Sequence, residues 1–312
     1  MNKIFSIIKS SCLYIGLIDK PNLIKNHKNS VPLSGGLLLI LTFSLCQFFF
    51  SYENYINFYL IFFITLLGII DDICDLNANI KFIVSFAIIF LIISNYKDLQ
   101  IKFVYFEYFN SLFFLKNIFF NIFFPTLCLM LLLNAFNMTD GINLLASLIF
   151  LSWLLYLFIK FPLNLEIFAP IIFILFFFLY FNFLGKTFLG DGGNYFLSML
   201  IGSLIIKLNN EYPKVISLEE IFLVLMIPGI DMLRLFVERI KNKKSPFRGD
   251  RKHLHHYLLK KFGNKVTLAI YLSLINVPIY FVTFLKINII LLIIFTIIIY
   301  CFLIKVCVLK KI

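Results

Sequence analysis

Long apolar runs alternate with short polar connections from residue 33 to residue 308. A membrane span takes about 20 apolar residues, within a range near 17–25. On that template the pattern predicts ten helical spans, roughly 33–51, 55–70, 80–96, 117–134, 142–160, 167–184, 193–207, 216–237, 266–284 and 287–308. An earlier apolar stretch, Ile4 to Ile18, is interrupted by Lys9, Ser10 and Ser11 and reads as a short or surface-lying helix. Residues 97–116 form a polar-aromatic connection long enough to hide a re-entrant piece. No long linker divides the chain, so residues 1–312 are expected to form one all-α, polytopic membrane domain with ten to eleven transmembrane helices.

Composition agrees with that pattern. Apolar residues make up 61% of the chain and charged residues only 14%, too little polar surface for a water-soluble domain of this size. The net charge of +12 does not point to nucleic acid, because the basic residues lie mostly in connections between apolar runs. Six scattered cysteines form no CxxC pair, so neither a disulfide framework nor a zinc site is expected, and they read as small buried residues. Met1 to Gly16 shows no small-residue cleavage site, so no cleavable signal peptide is expected.

Charge sets the orientation. The connection 238–265 holds ten basic residues (Arg239, Lys241, Lys243, Lys244, Arg248, Arg251, Lys252, Lys260, Lys261 and Lys265) against Glu238 and Asp250, which places it in the cytoplasm. Counting back, the connections 185–192, 135–141, 71–79 and 19–32 share that side, and 51–54, 97–116, 161–166 and 208–215 lie opposite. Every unusual polar motif falls on the inner set.

Four motifs carry candidate chemistry. Gly68-Ile69-Ile70-Asp71-Asp72-Ile73-Cys74-Asp75 puts adjacent carboxylates at the negative end of a helix dipole, where their proton affinity rises unless a cation is near. A lone aspartate there is commonly just solvated. Two, with a third nearby, suit a general base or a ligand set for Mg²⁺. In Asn134-Ala135-Phe136-Asn137-Met138-Thr139-Asp140-Gly141-Ile142-Asn143, Asp140 alone reads as a cap for the next helix. Capping leaves Asn134, Asn137 and Asn143 without a role, and a nucleotide or metal would satisfy their buried amides. Phe188-Leu189-Gly190-Asp191-Gly192-Gly193-Asn194 allows close backbone approach, and the helix it opens offers N–H groups to phosphate. A plain flexible turn is the simpler reading of that motif alone. Asp250-Arg251-Lys252-His253-Leu254-His255-His256 gathers three of the four histidines, and Leu254, Tyr257, Leu258 and Phe262 share one face of a predicted interfacial helix over 251–262. Imidazole and guanidinium suit phosphate oxygens, whereas the spacing does not suit zinc. The N-terminal connection adds Asp19, Lys20, Pro21, Asn22, Lys25 and His27, with Gly35 and Gly36 placed for close helix packing.

At these residues the chain resembles the polyprenyl-phosphate N-acetylhexosamine-1-phosphate transferases of glycosyltransferase family 4. The resemblance runs in order from Gly16-Leu17-Ile18-Asp19-Lys20-Pro21-Asn22 to His253–His256. The form Asp-Arg-x-His-x-His-His is similar to the branch that uses UDP-N-acetylglucosamine. The phospho-N-acetylmuramoyl-pentapeptide transferase branch, whose histidine motif differs, is the alternative within the superfamily.

The resemblance implies attack of undecaprenyl phosphate on the β-phosphate of a UDP-N-acetylhexosamine, with release of UMP. It implies Mg²⁺ or Mn²⁺ as cofactor, an active site on the cytoplasmic face of a bacterial inner membrane, and a homodimer as one assembly state. The lipid-linked product would initiate a cell-envelope polysaccharide such as lipopolysaccharide. By the same resemblance Asp71 and Asp72 match the paired aspartates that deprotonate or orient the lipid phosphate, and Asp191 matches the metal-binding aspartate. Asn137, Asp140 and Asn182 match positions lining the nucleotide site, and Arg251, His253, His255 and His256 match the motif that contacts phosphate or sugar.

Three positions depart from the family pattern. Asn143 stands where many bacterial members have Asp, and its amide oxygen remains able to bind nucleotide or metal at lower affinity. Ile24 replaces a usual Arg beside Lys25, and the first span is short. A secondary transporter would carry its ionisable residues near the midplane rather than at one set of loop ends. A CDP-alcohol phosphotransferase would show a run of spaced aspartates on one helix, which is absent. A non-catalytic scaffold gives no reason for aspartates in three same-side connections.

Overall fold

A computed structural model describes residues 2–19, 30–50, 57–246 and 250–308. Lys20, Pro21, Asn22, Ile24, Lys25 and His27 of the N-terminal connection, and Arg248 of the basic one, lie outside the described residues. The helices are α1 (Asn2–Ile15), α2 (Gly35–Phe50), α3 (Phe58–Cys74), α4 (Ala78–Asn95), α5 (Ile118–Asn137), α6 (Leu145–Lys160), α7 (Leu165–Phe183), α8 (Gly190–Glu211), α9 (Leu218–Lys241), α10 (Leu254–Thr283) and α11 (Ile289–Val308). Helices α2 to α11 coincide with the ten apolar runs. Among the described residues α4, α5, α10 and α11 are long and apolar enough to cross a membrane, and α2, α6 and α7 contribute shorter apolar helices. The protein is a helical membrane protein.

Helix α8 forms the axis of the bundle. Its residues from Gly192 to Ile206 are buried, which follows from a sequence apolar or small on every side. Small residues let neighbouring backbones approach closely. A Cβ at Gly68 of α3 would lie 2.7 Å from the Asp191 carbonyl oxygen and from the Gly192 Cα. At Gly36 of α2 it would lie 2.8 Å from the Gly192 carbonyl carbon. The close packing expected of Gly35 and Gly36 is therefore made against the start of α8. Hydroxyls inside spans return to their own helix, as when Thr65 donates to the Ile61 carbonyl at 2.6 Å and Thr126 to that of Ile122 at 2.7 Å.

Two small hairpins depart from an all-helical chain. Strands β1 (Ile18–Asp19) and β2 (Val31–Pro32) pair beside the start of α8, where Phe188 donates to the Pro32 carbonyl. Strands β3 (Phe103–Phe106) and β4 (Ser111–Phe114) pair antiparallel at the other end, where the sequence suggested a re-entrant piece. Glu219 explains the difference: its carboxylate accepts the amides of Glu107 at 3.1 Å and Tyr108 at 3.3 Å, tying the hairpin to the start of α9. Asn209 of α8 adds a donor to the Phe103 carbonyl at 3.1 Å. All six thiols are unpaired, as expected, but only Cys12 is buried; Cys74, Cys128 and Cys301 are exposed.

Helix α10 is two segments. Gly263 sits at φ 75°, ψ 175°, which breaks the helix between a short arm beginning at Leu254 and an apolar span continuing to Thr283. The arm matches the predicted interfacial helix in extent, with Leu254 and Leu258 fully buried beneath it.

Candidate active site

The ends of α3, α5, α7 and α9 and the starts of α4, α6, α8 and α10 meet on one side of the bundle. Asp72 makes the first link. Its carboxylate accepts the amide of Asp191 at 2.9 Å and that of Gly192 at 3.0 Å, so it caps α8 from another helix. At the end of α3 this charge opposes the dipole, whereas at the start of α8 the dipole favours it. The same bonds correct an expectation. The N–H groups at the start of α8 are not all open to phosphate, because Asp72 occupies two of them. Gly190, at φ 70°, makes the approach fit; a Cβ there would lie 2.6 Å from the Asp72 carboxylate.

Asp71, with a side chain only 1% exposed, pairs with Lys81 and accepts the Leu76 amide at 2.9 Å. Lys81 also stands 3.5 Å from the Asp191 carboxylate, so one ammonium bridges Asp71 and Asp191. Sequence reading missed Lys81. A single Lys in the first turns of an apolar helix is the available signal, and it looks like ordinary inner-face charge.

Asp140 is not a helix cap. Helix α6 starts at Leu145 behind Leu144, whose φ of 74° turns the chain and provides no capping side chain. Asp140 instead accepts the Asn194 side-chain amide at 2.8 Å, joining its connection to the first turns of α8. Burial raises its pKa to about 6, and the Asn194 bond opposes that rise. Asn182 is buried and acts as a brace: it accepts the Leu144 amide at 3.1 Å and donates to the Thr187 carbonyl at 2.8 Å. Its own carbonyl accepts the Asn143 amide at 2.8 Å. Both Asn182 side-chain groups thus have a partner within the protein.

The histidine arm closes the side of this junction. A Cβ at Gly141 would collide with His255, so the ring lies directly on the Asp140–Gly141 segment. His255 is 1% exposed, and neither of its ring nitrogens has a partner. Burial holds its pKa well below the usual imidazole range. Burial, aided by the charges of His253 and Arg251, lowers that of His256 to about 4. The rings of His253 and His255 are parallel, with centroids 5.5 Å apart. His253 is buried against Asp231 of α9, while Arg251 is exposed at the arm's entrance.

Several unpartnered buried oxygens belong to these motifs. The side-chain oxygens of Asn137, Asn143 and Asn194 have no hydrogen-bond partner, and the amide nitrogen of Asn194 holds the Asp140 carboxylate. This is a hard-oxygen set of the kind Mg²⁺ prefers. Among the described residues no three His, Cys, Asp or Glu side chains already converge on one point.

Residues 54–209 match the family described as Glycosyl transferase family 4. The chain is 27% identical over 281 residues to the undecaprenyl-phosphate alpha-N-acetylglucosaminyl 1-phosphate transferase of Salmonella typhi, covering 81% of this chain and 72% of that one. The Escherichia coli K12 protein of the same description is 26% identical, covering 79% and 70%. A Bacillus subtilis protein described as a probable undecaprenyl-phosphate N-acetylglucosaminyl 1-phosphate transferase is 28% identical, covering 81% and 72%.

Proposed function

This chain belongs to glycosyl transferase family 4, and from that premise we propose that it transfers an N-acetylhexosamine 1-phosphate from a UDP-sugar to undecaprenyl phosphate. One oxygen of the lipid phosphate bonds to the β-phosphorus of the UDP-sugar. The bond from that phosphorus to the bridging oxygen breaks, and UMP leaves with its electron pair. The observation that carries this reading is the Asp72–α8, Asp71–Lys81–Asp191 and Asp140–Asn194 set of contacts at one end of the bundle. Phosphoryl transfer is mostly positioning and charge neutralisation, and such a set supplies both.

Lys81 lies against the Asp71 and Asp191 carboxylates and would meet the incoming lipid phosphate. Asp191, with its side chain 30% exposed, remains open to a ligand. Asp191 and Asn143, with Asp140 and the unpartnered oxygens of Asn137 and Asn194, would hold Mg²⁺ or Mn²⁺. The bound ion would neutralise the diphosphate of the donor. Both oxygens of Asp72 accept backbone amides and Asp71 is ion-paired, which supports direct attack by the lipid phosphate over a covalent aspartyl intermediate. Asn137 and Asn143 would contact the nucleotide, with Asn182 bracing Asn143. Arg251, His253, His255 and His256 would contact phosphate or sugar from the arm.

The spans would be α2 to α11, ten in all, with the junction on the cytoplasmic face of a bacterial plasma membrane. The test is UMP release by purified protein from a panel of UDP-sugars, with undecaprenyl phosphate and Mg²⁺. Release that needs both lipid and metal and is lost in Asp191→Ala supports the reading. A folded protein that releases no UMP from any donor overturns it.

A further inference from the structure

Asp231 lies in the apolar stretch of α9, 1% exposed, and its carboxylate gathers groups from three helices. It accepts the Tyr300 hydroxyl of α11 at 2.6 Å and the Arg234 guanidinium at 2.9 Å. Both of its oxygens lie 3.2 Å from the Leu254 amide, the first N–H of the histidine arm. His253 Nδ1 is 2.8 Å away. Arg234 reinforces the cluster, donating to the Tyr300 hydroxyl at 2.8 Å and to the Lys252 carbonyl at 2.6 Å. An ionised carboxylate only accepts, so the hydrogen of this pair belongs on Nδ1, which fixes the tautomer and ring plane of His253.

The arrangement parallels the acidic half of the site. There Asp72 caps α8 from another helix; here Asp231 caps the arm from another helix. The consequence differs, because the capped arm carries His253 in a parallel stack with His255, and His255 rests on Gly141. Both ring nitrogens of His255 are buried and unpartnered, and their position depends on where the arm begins.

We propose that Asp231 is the positioning residue of the histidine motif: it holds His253, and through the arm His255, against the Asp140–Gly141 segment where the nucleotide sugar binds. The kinetic part rests on the transferase reading above. The placement part does not.

The experiment uses the full chain in lipid nanodiscs and compares wild type with Asp231→Asn, Asp231→Glu, His253→Asn and the Asp231→Asn/His253→Asn double variant. UMP release gives kcat and KM for each substrate, and hydrogen–deuterium exchange follows residues 250–262. Asp231→Asn is expected to lower kcat/KM by about 10–100-fold, the usual range for a residue that orients another. The loss should fall on KM for the UDP-sugar, leave KM for undecaprenyl phosphate unchanged, and be largely restored in Asp231→Glu. The double variant should be no worse than the more damaged single variant. Exchange should accelerate from Leu254 onward and stay unchanged at the start of α8.

Losses that multiply in the double variant, equal rises in both KM values, or unchanged exchange in the arm would each overturn the proposal. If Asp231→Asn does not fold, Tyr300→Phe removes one donor from the carboxylate. It should shift the same KM and the same exchange by a smaller factor, and wild-type behaviour would overturn the proposal. A wild type that releases no UMP defeats the reaction, while arm exchange still decides the role of Asp231.

Discussion

The acidic half of the junction and the histidine arm are built by different means. Around Asp72, Asp71 and Asp191 the backbones of α2, α3 and α8 approach so closely that glycine is required at the contacts. Little can yield there, because backbone faces backbone. The arm is instead fastened at its start by one buried carboxylate and bends at Gly263. It meets the Asp140 connection through side chains, the rings of His255 and His256, and not through backbone. The acidic half is therefore fixed by packing, and the arm by a few polar bonds. That division suits a site in which the carboxylates stay in place while the arm adjusts to the donor.

The largest effect should come from filling the contact between α3 and α8. Gly68→Ala places a methyl group 2.7 Å from backbone atoms of Asp191 and Gly192. It should cost about 3 kcal/mol, at the upper end for overpacking, despite the better helix propensity of Ala. Thermal unfolding in nanodiscs reads this, and a loss below about 1 kcal/mol would show that the junction is softer than the packing implies.

Removing Lys81 comes next, because Asp71 would be left buried without its cation. Lys81→Ala should cost about 2–3 kcal/mol, somewhat below the usual figure for breaking a buried pair, since Lys81 itself is partly exposed. Lys81→Arg should recover most of it. Equal losses in both variants would mean that the ammonium geometry, and not the charge, is what Asp71 requires.

On the arm the same kind of substitution should be milder for stability. Gly141→Ala displaces the rings of His255 and His256 and no backbone, and should cost about 1 kcal/mol. Its effect on KM for the UDP-sugar should exceed its effect on unfolding. A stability loss matching that of Gly68→Ala would erase the contrast between the two halves.

The smallest effect is a difference in sign with pH, measured in EDTA. The folded pKa of His256, about 4, lies below its ordinary value near 6.5, so the unfolded chain binds more protons between those values. This stabilising contribution is complete above about 6.5 and lost as pH falls toward 4. Asp140 behaves oppositely. Its folded pKa of about 6 exceeds the ordinary carboxylate value near 3.8, so its ionised form costs stability above pH 6, and the protein regains that stability as pH falls. His256→Gln should therefore resist mild acid better than wild type, and Asp140→Asn should resist it less well. The same shift in both variants would contradict the separate environments of the two groups.

The apolar runs translated into helices with little change because each must satisfy its own backbone in lipid, a local requirement that a run of residues displays directly. The polar motifs were equally legible as candidates, since each is a short run of unusual residues at the end of an apolar helix. Other features had no local signature. Nothing local shows that Asp72 accepts two amides of α8, and Asp140 looks like a cap until Asn194 takes its oxygen. Asn182 resembles a ligand-facing amide, yet Leu144 and Thr187, on either side of it in the fold, use both its groups.

What the sequence determined alone is the solvent, the helices and the chemical types gathered on one face, because apolar length and periodicity are properties of short segments. The tertiary structure decided which carboxylate meets which partner. Lys81 lies ten residues from Asp71 and 110 from Asp191, and Asp231 lies 22 from His253, so only packing brings them within bonding distance. Hydrogen bonds and ion pairs act over a few ångströms, and no periodicity along the chain records which distant residues will share that range.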